Sequence, residues 1–230
     1  MTTPSSFRSS ALLLTLTIAG LSAVRSDAAT ISQSTSMIPT AGSVSCNQAG
    51  LHADNAYSRA FDLSDFGISQ PFSLTSVTFA VESANAAGAA TSQPMDVRVF
   101  DGWSVAGNVL TPGTLLGTFS VAINDGVLFM QTVPLSGTIT TGGLMVELFT
   151  PNGIGAGHSL FMGSNSAGQS GPGFIAAADC GIPNRTNIAA IGFPNLHLIM
   201  SVDGTAVPEP STLAILGLGS LALVRRRRGN

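Results

Sequence analysis

The sequence predicts an all-β chain, an antiparallel β-sandwich of jelly-roll type. Three observations carry this expectation. From Tyr57 onward, short runs alternate from residue to residue, as strands do. Clusters of Gly, Pro, Asn and Asp separate the runs. No stretch of this region has the period of an amphipathic helix. Regular short strands with turn signals suit a sandwich. An immunoglobulin-like sandwich is the main competitor, and the sequence does not specify strand order. No internal repeat recurs at a fixed period, which argues against propellers and solenoids.

The elements follow in order. Residues 1–29 read as a secretory signal peptide. Arg8 supplies the positive start, Ala11–Val24 an apolar run, and Ser26–Thr30 a small-residue cleavage region, with the cut expected after Ala28 or Ala29. A polar lead, Ile31–Gly50, reads as extended chain or loop. Tyr57–Leu63 alternates, with Tyr57, Arg59 and Phe61 on one side. In Ser73–Ser83, Leu74, Ser76, Thr78 and Ala80 face one way and Thr75, Val77, Phe79 and Val81 the other. Met95–Trp103 puts Met95, Val97, Val99 and Asp101 on one face and Asp96, Arg98 and Phe100 on the other. Thr114–Ile123, Val127–Leu135, Gly143–Phe149, His158–Gly163, Gly173–Asp179 and Leu196–Val202 complete about nine strands. Asn124–Gly126 (NDG) reads as a tight hairpin turn, because Asn and Asp tolerate positive φ and Gly prefers it. Ala84–Gln93 reads as a mobile loop, and Pro151–Ser159 and Ser164–Gly173 as further flexible connections. The secreted β-sandwich domain is therefore 30–206, followed by a tail at 207–230.

Charge narrows the partners. The chain has no lysine, and 30–206 holds three arginines against ten acids, a net of −7. Such a domain has no electrostatic footprint for nucleic acid. Only 9% of the residues are charged, so hydroxyls, amides and backbone must supply solubility. The two cysteines, Cys46 and Cys180, are expected to form a disulfide in an oxidising compartment; the alternatives are two unpaired thiols, or one catalytic thiol.

Candidate chemistry is sparse. His52, His158 and His197 stand at no metal-ligand spacing, so no metal site is expected from them. No nucleophile elbow occurs; the sequence around Ser159 lacks its second Gly. Glu82 and Glu147, the only glutamates of 30–206, read as outward-facing strand residues rather than a glycosidase pair. Asp54, Asn55, Asp62 and Asp65 offer oxygens of the kind a structural calcium takes, but without EF-hand spacing they read first as loop and cap residues. Arg59 is expected to pair with one of these acids. Trp103, the only tryptophan, stands after Asp-Gly at a strand end and reads as a core edge or as a ligand contact. No cofactor is expected beyond that calcium option.

The tail joins three unlike parts. Val207-Pro208-Glu209-Pro210 cannot continue a strand or helix. Ser211 and Thr212 can cap the apolar run Leu213–Val224, which is short for a membrane span and carries Gly217 and Gly219. Arg225, Arg226, Arg227 and Arg228 then stop transfer on the cytoplasmic side. This order resembles the PEP-CTERM sorting signal of exported bacterial proteins, also catalogued as an ice-binding protein C-terminal region. No Thr-rich repeat of an ice-binding face occurs.

The resemblance implies an exosortase as partner, transient anchoring in the inner membrane, then release or transfer to the envelope or extracellular matrix of a Gram-negative bacterium. It implies that Val207, Pro208, Glu209 and Pro210 are the recognition element. Gly163–Thr205 also loosely resembles β-sandwich domains of secreted bacterial proteins with such signals, which supports Cys180 as a half-cystine. The expectation is a non-enzymatic structural or adhesive protein. The alternatives are a carbohydrate-binding module acting on exopolysaccharide and, third, a secreted hydrolase.

Overall fold

The computed structural model describes residues 28–69 and 71–207. The expected signal segment up to residue 27, the apolar run Leu213–Val224 and the arginines Arg225–Arg228 lie outside the described residues. Among the described residues, no helix is long and apolar enough to cross a membrane.

The chain is mostly antiparallel β-sheet. Its strands are β1 (Ala28–Ser32), β2 (Asn47–Gln48), β3 (Leu51–His52), β4 (Asn55–Asp62), β5 (Phe72–Asn85), β6 (Ser92–Ala106), β7 (Val109–Asn124) and β8 (Gly126–Pro134). Then come β9 (Thr138–Ile139), β10 (Gly143–Thr150), β11 (Ser159–Met162), β12 (Ser164–Asn165), β13 (Gly173–Ala177), β14 (Ile182–Asn187), β15 (His197–Leu198) and β16 (Met200–Ala206).

Two sheet systems face each other. The first is built on β5. Phe79 pairs with both Met200 of β16 and Gln131 of β8, so those strands flank β5 on opposite edges. β11 continues the β16 side, β9 the β8 side, and β1 adds outside β16. The second system closes on itself in the order β10-β4-β13-β14-β7-β6. Its outer face meets the first sheet in the main core: Tyr57, Phe61, Val97, Val99, Val146 and Ile175 pack with Phe72, Val77, Phe79, Met200 and Val202. The opposite face encloses a smaller core of Ala60, Phe100, Leu110, Met145 and Phe174.

Several sequence expectations shift. Alternation in β5 is not uniform, because β16 passes from Ser76 to Leu74 and skips Thr75. This bulge reverses the facing, so Phe72 and Leu74 join Val77, Phe79 and Val81 in the core. The Asn124–Gly126 turn is tight but joins no hairpin: β7 pairs with β6, and β8 pairs with β5. The chain switches sheets there, and Asp125 fastens the corner by accepting from Ala86 N at 2.7 Å. The loop expected over Ala84–Gln93 is shorter, since β5 runs to Asn85 and β6 starts at Ser92. The polar lead begins as a strand, with Ile31 fully buried. β14, with the polar sequence IPNRTN, has no apolar alternation to announce it.

Cys46 and Cys180 are disulfide-bonded, with Cα atoms 5.8 Å apart across 134 positions of sequence. The bridge ties the lead to the β13–β14 turn. Closing a loop of that length restricts the unfolded chain by about 5 kcal/mol in the chain-entropy account.

Candidate functional site

Gly102 adopts φ +83 and turns β6 just before Trp103. Trp103 is not at the strand end: β6 continues to Ala106, with Trp103 opposite Pro112 of β7. It is half-buried, one side against the smaller core. Its indole N–H donates to Phe61 O at 3.1 Å, which fixes the ring across the end of β4. A Cβ on Gly143 would stand 3.0 Å from that nitrogen, so glycine at 143 lets the ring lie this close.

Trp103 is a wall between two clefts. The larger, about 570 Å³, is lined by Asp62, Ser64, Ser69, Trp103, Thr140 and Thr141. The smaller, about 170 Å³, has Asp62, Asp65, Trp103, Ser170 and Pro172 on its walls. The larger cleft has a rigid rim. Asp101 accepts from Thr140 Oγ1 and Thr141 Oγ1, both at 2.7 Å, and from both backbone N–H groups. Burial raises the Asp101 carboxyl, but these donors outweigh it and hold the group below its usual value. Asp62 caps the 3-10 turn Leu63–Phe66 through Ser64 N at 2.9 Å, and Ser64 Oγ donates to the same oxygen at 2.7 Å. Those two bonds lower the Asp62 carboxyl, so it is ionised at neutral pH. A planar aromatic wall, hydroxyls and an exposed carboxylate suit a polyhydroxyl ligand, neutral or cationic.

The other candidates are dispersed. Glu147 is not outward-facing: it is fully buried on the closed sheet. It bonds Arg98 Nη1 at 3.1 Å and Arg185 Nε, and Ser58 Oγ donates to it at 3.4 Å. Arg98 also lies over the Phe149 ring, 3.9 Å from its centre. Glu82 accepts from Gly42 N and Ser43 N and pins the lead.

Arg59 makes no ion pair with an acid. It is fully buried, and its partners are neutral oxygens: Leu198 O, Gln33 Oε1, Gly171 O and Gln169 Oε1. Burial pushes its guanidinium down to about 10. A Cβ on Gly171 would meet Gln33 Nε2 at 2.3 Å, so this cage needs glycine there.

The calcium-type oxygens do not converge. Asp54 holds Asn152 N, Asn55 is buried against Cys46 N, and Asp62 caps its own turn. Among the described residues, no group of three or more His, Cys, Asp or Glu could hold a metal ion. His52 is buried between Ala53 O and Gln93 Oε1, and His197 accepts from Gly168 N. Sequence reasoning singled out Trp103 but missed Thr140, Thr141 and Ser69, whose only signal is position beside turn glycines.

The ends of the described chain meet. Ala28 pairs with Thr205 across β1 and β16, and Val207 N donates to Pro71 O at 2.7 Å. The last strand thus runs straight into the tail. No curated protein and no solved structure matches the chain. Residues 206–228 match the family model of the PEP-CTERM protein-sorting motif, and the chain is a carrier of that motif.

Proposed function

We propose that this is an exported, exosortase-processed protein of the Gram-negative cell envelope or extracellular matrix, with a non-enzymatic structural or adhesive role. The observation that carries this reading is the sorting motif at 206–228, joined without a spacer to β16. Pro208, Glu209 and Pro210 form its recognition element, Leu213–Val224 a transient inner-membrane anchor, and Arg225–Arg228 the cytoplasmic stop. The pairing of Ala28 with Thr205 supports a precursor whose signal and tail leave the domain side by side. A non-enzymatic role is supported by the use of the acids: Glu147, Glu82, Asp54, Asp96, Asp101 and Asp125 each hold a strand or loop in place.

Intact-mass measurement of shed protein tests the sorting. The mature chain is expected to lack most of 207–230, and deletion of the exosortase to change its size or location. An unchanged full-length chain in both strains overturns the reading. Turnover of any polymer, abolished by one acid-to-Ala change, would overturn the non-enzymatic role.

The Trp103 cleft favours a second reading, carbohydrate binding to exopolysaccharide. Retention on a glycan array that disappears in a folded Trp103→Ala variant supports it. Binding that persists in that variant excludes the cleft.

A further inference from the structure

β7 and β8 meet at the corner Asn124–Gly126 and enter different sheets, each with one open edge. β14 pairs with β7 only at Val109 and Leu110, and β8 pairs only with β5. Among the described residues, β7 beyond Leu110 therefore has no partner on its outer edge. Its segment from Gly117 to Asn124 is regular, in unbroken register with Ser92–Val99 of β6. Pro94 stands opposite Ala122 and has no N–H to give, so this pair suits the non-hydrogen-bonded position. Thr118, Ser120 and Ala122 then direct their backbone groups to the open edge.

Proteins usually blunt such an edge with charge, proline or a bulge. β8 is blunted, because Leu128 sits at φ 50 and breaks its ladder. β7 is not. From Val109 to Pro134 the only charged residue is Asp125, and Pro112 lies outside the regular segment. Five of the eight exposed large hydrophobics among the described residues fall here: Leu115, Leu116, Val127, Leu128 and Met130. The core is also unfinished on this side, since Phe119, Val121 and Phe129 face it yet stay only partly covered.

We propose that β7 is a self-association edge: two copies pair their Gly117–Asn124 segments antiparallel about a two-fold axis. A row of unpaired N–H and C=O groups selects a strand, not a sugar or a lipid. An antiparallel strand pair is self-complementary, so one patch serves both copies. Charge selects the place. Copies with a net of −7 over 30–206 repel over most of their surface and meet without repulsion along a neutral strip. This inference goes beyond the sorting and adhesive readings and depends on neither.

The test is sedimentation of the protein as isolated from its cells over a wide concentration range, beside a Thr118→Glu/Ala122→Glu variant. Both side chains are exposed, so the monomer should keep its fold, checked by circular dichroism. The wild type is expected to dimerise, with slow amide exchange at Thr118, Ser120 and Ala122 only when concentrated. The variant should raise the dimer dissociation constant about tenfold or more, since like charges then face across the new pair. A wild type that stays monomeric throughout overturns the proposal. So does a dimer that the variant leaves intact, or one whose β7 amides exchange as fast as in the monomer, because another face then carries it.

Discussion

Arg59→Met is the substitution that most directly tests how this core tolerates a charge. The guanidinium is fully buried with four neutral oxygens and no acid around it. Two physical effects oppose each other. Burial pushes the group from its ordinary value down to about 10, a penalty on the charge of about 3 kcal/mol. The four oxygens act in place of water, and hydrogen bonds to a charged donor contribute about 1.5 kcal/mol or more each. The lowered guanidinium shows that they offset this penalty only in part. Methionine removes both effects and strands Gly171 O and Gln33 Oε1, the latter held in place by its Nε2 bond to Ala60 O at 2.7 Å.

Stranding those buried acceptors costs about 1–3 kcal/mol, so Arg59→Met should destabilise by that amount, a fall in Tm of roughly 2–12 °C for a domain of this size. Thermal and urea unfolding at neutral pH, followed by fluorescence of Trp103, reads this directly. Because the pKa is lowered on folding, the unfolded chain holds more protons from about pH 10 up to the ordinary guanidinium value, and the burial penalty fades only as pH rises through that window. At neutral pH it is fully present, so the comparison is clean. A neutral or more stable Met variant would show that desolvation dominates, as it does where buried ions are replaced by apolar groups without loss. An Arg59→Lys variant as stable as wild type would refute the argument from the four-oxygen fork, since an ammonium has only three donors.

The remaining predictions concern the phenol, the disulfide and the buried carboxylate. Burial pushes Tyr57 well above the usual 10, while its hydroxyl donates to Val44 O at 2.8 Å. Its stabilising share is complete below 10 and is lost as pH rises above it, so tyrosinate absorbance should appear together with unfolding; a titration near 10 in the folded protein would contradict this. Tyr57 is the only tyrosine, which makes the signal unambiguous. Cys46→Ser/Cys180→Ser should lower stability by about 5 kcal/mol at most, measured as a shift of the urea midpoint; an unchanged midpoint would show that the loop closure is not a constraint. Glu147→Gln should cost about 1–3 kcal/mol rather than a full buried-pair penalty, because Arg98 and Arg185 keep 30% and 24% side-chain exposure and can turn to water. Arg98→Ala alone should cost less, since Arg185 still holds the carboxylate, and the pair of urea curves checks the order.

Much of the fold was legible because burial writes itself into local alternation. Met95, Val97 and Val99 share a face in the sequence and in the core. The all-β class and the Cys46–Cys180 bridge follow from equally local or compositional signals. What failed was whatever depends on the partner strand. The skipped Thr75 belongs to the register between β5 and β16, so no inspection of β5 alone reveals that Leu74 turns inward. The Asn124–Gly126 turn has hairpin chemistry, yet β8 gains a longer ladder by crossing to β5. Tight turns set the reversal of a chain, not the sheet in which it lands.

The charged residues make the same point more sharply. Arg59 lies near Asp54, Asp62 and Asp65 in sequence, and proximity suggested an ion pair. Its actual partners stand 26, 110, 112 and 139 positions away. All four are uncharged oxygens, two of them backbone, and backbone acceptors leave no mark on a sequence. The cleft shows the same asymmetry. Trp103 announces itself as the lone tryptophan, but its setting depends on Asp101 reaching across to Thr140 and Thr141. The sorting motif was legible because its signature is serial: Pro-Glu-Pro, an apolar run and an arginine cluster follow one another in chain order. The domain's physics is not serial, and its chemistry becomes visible only when distant strands are side by side.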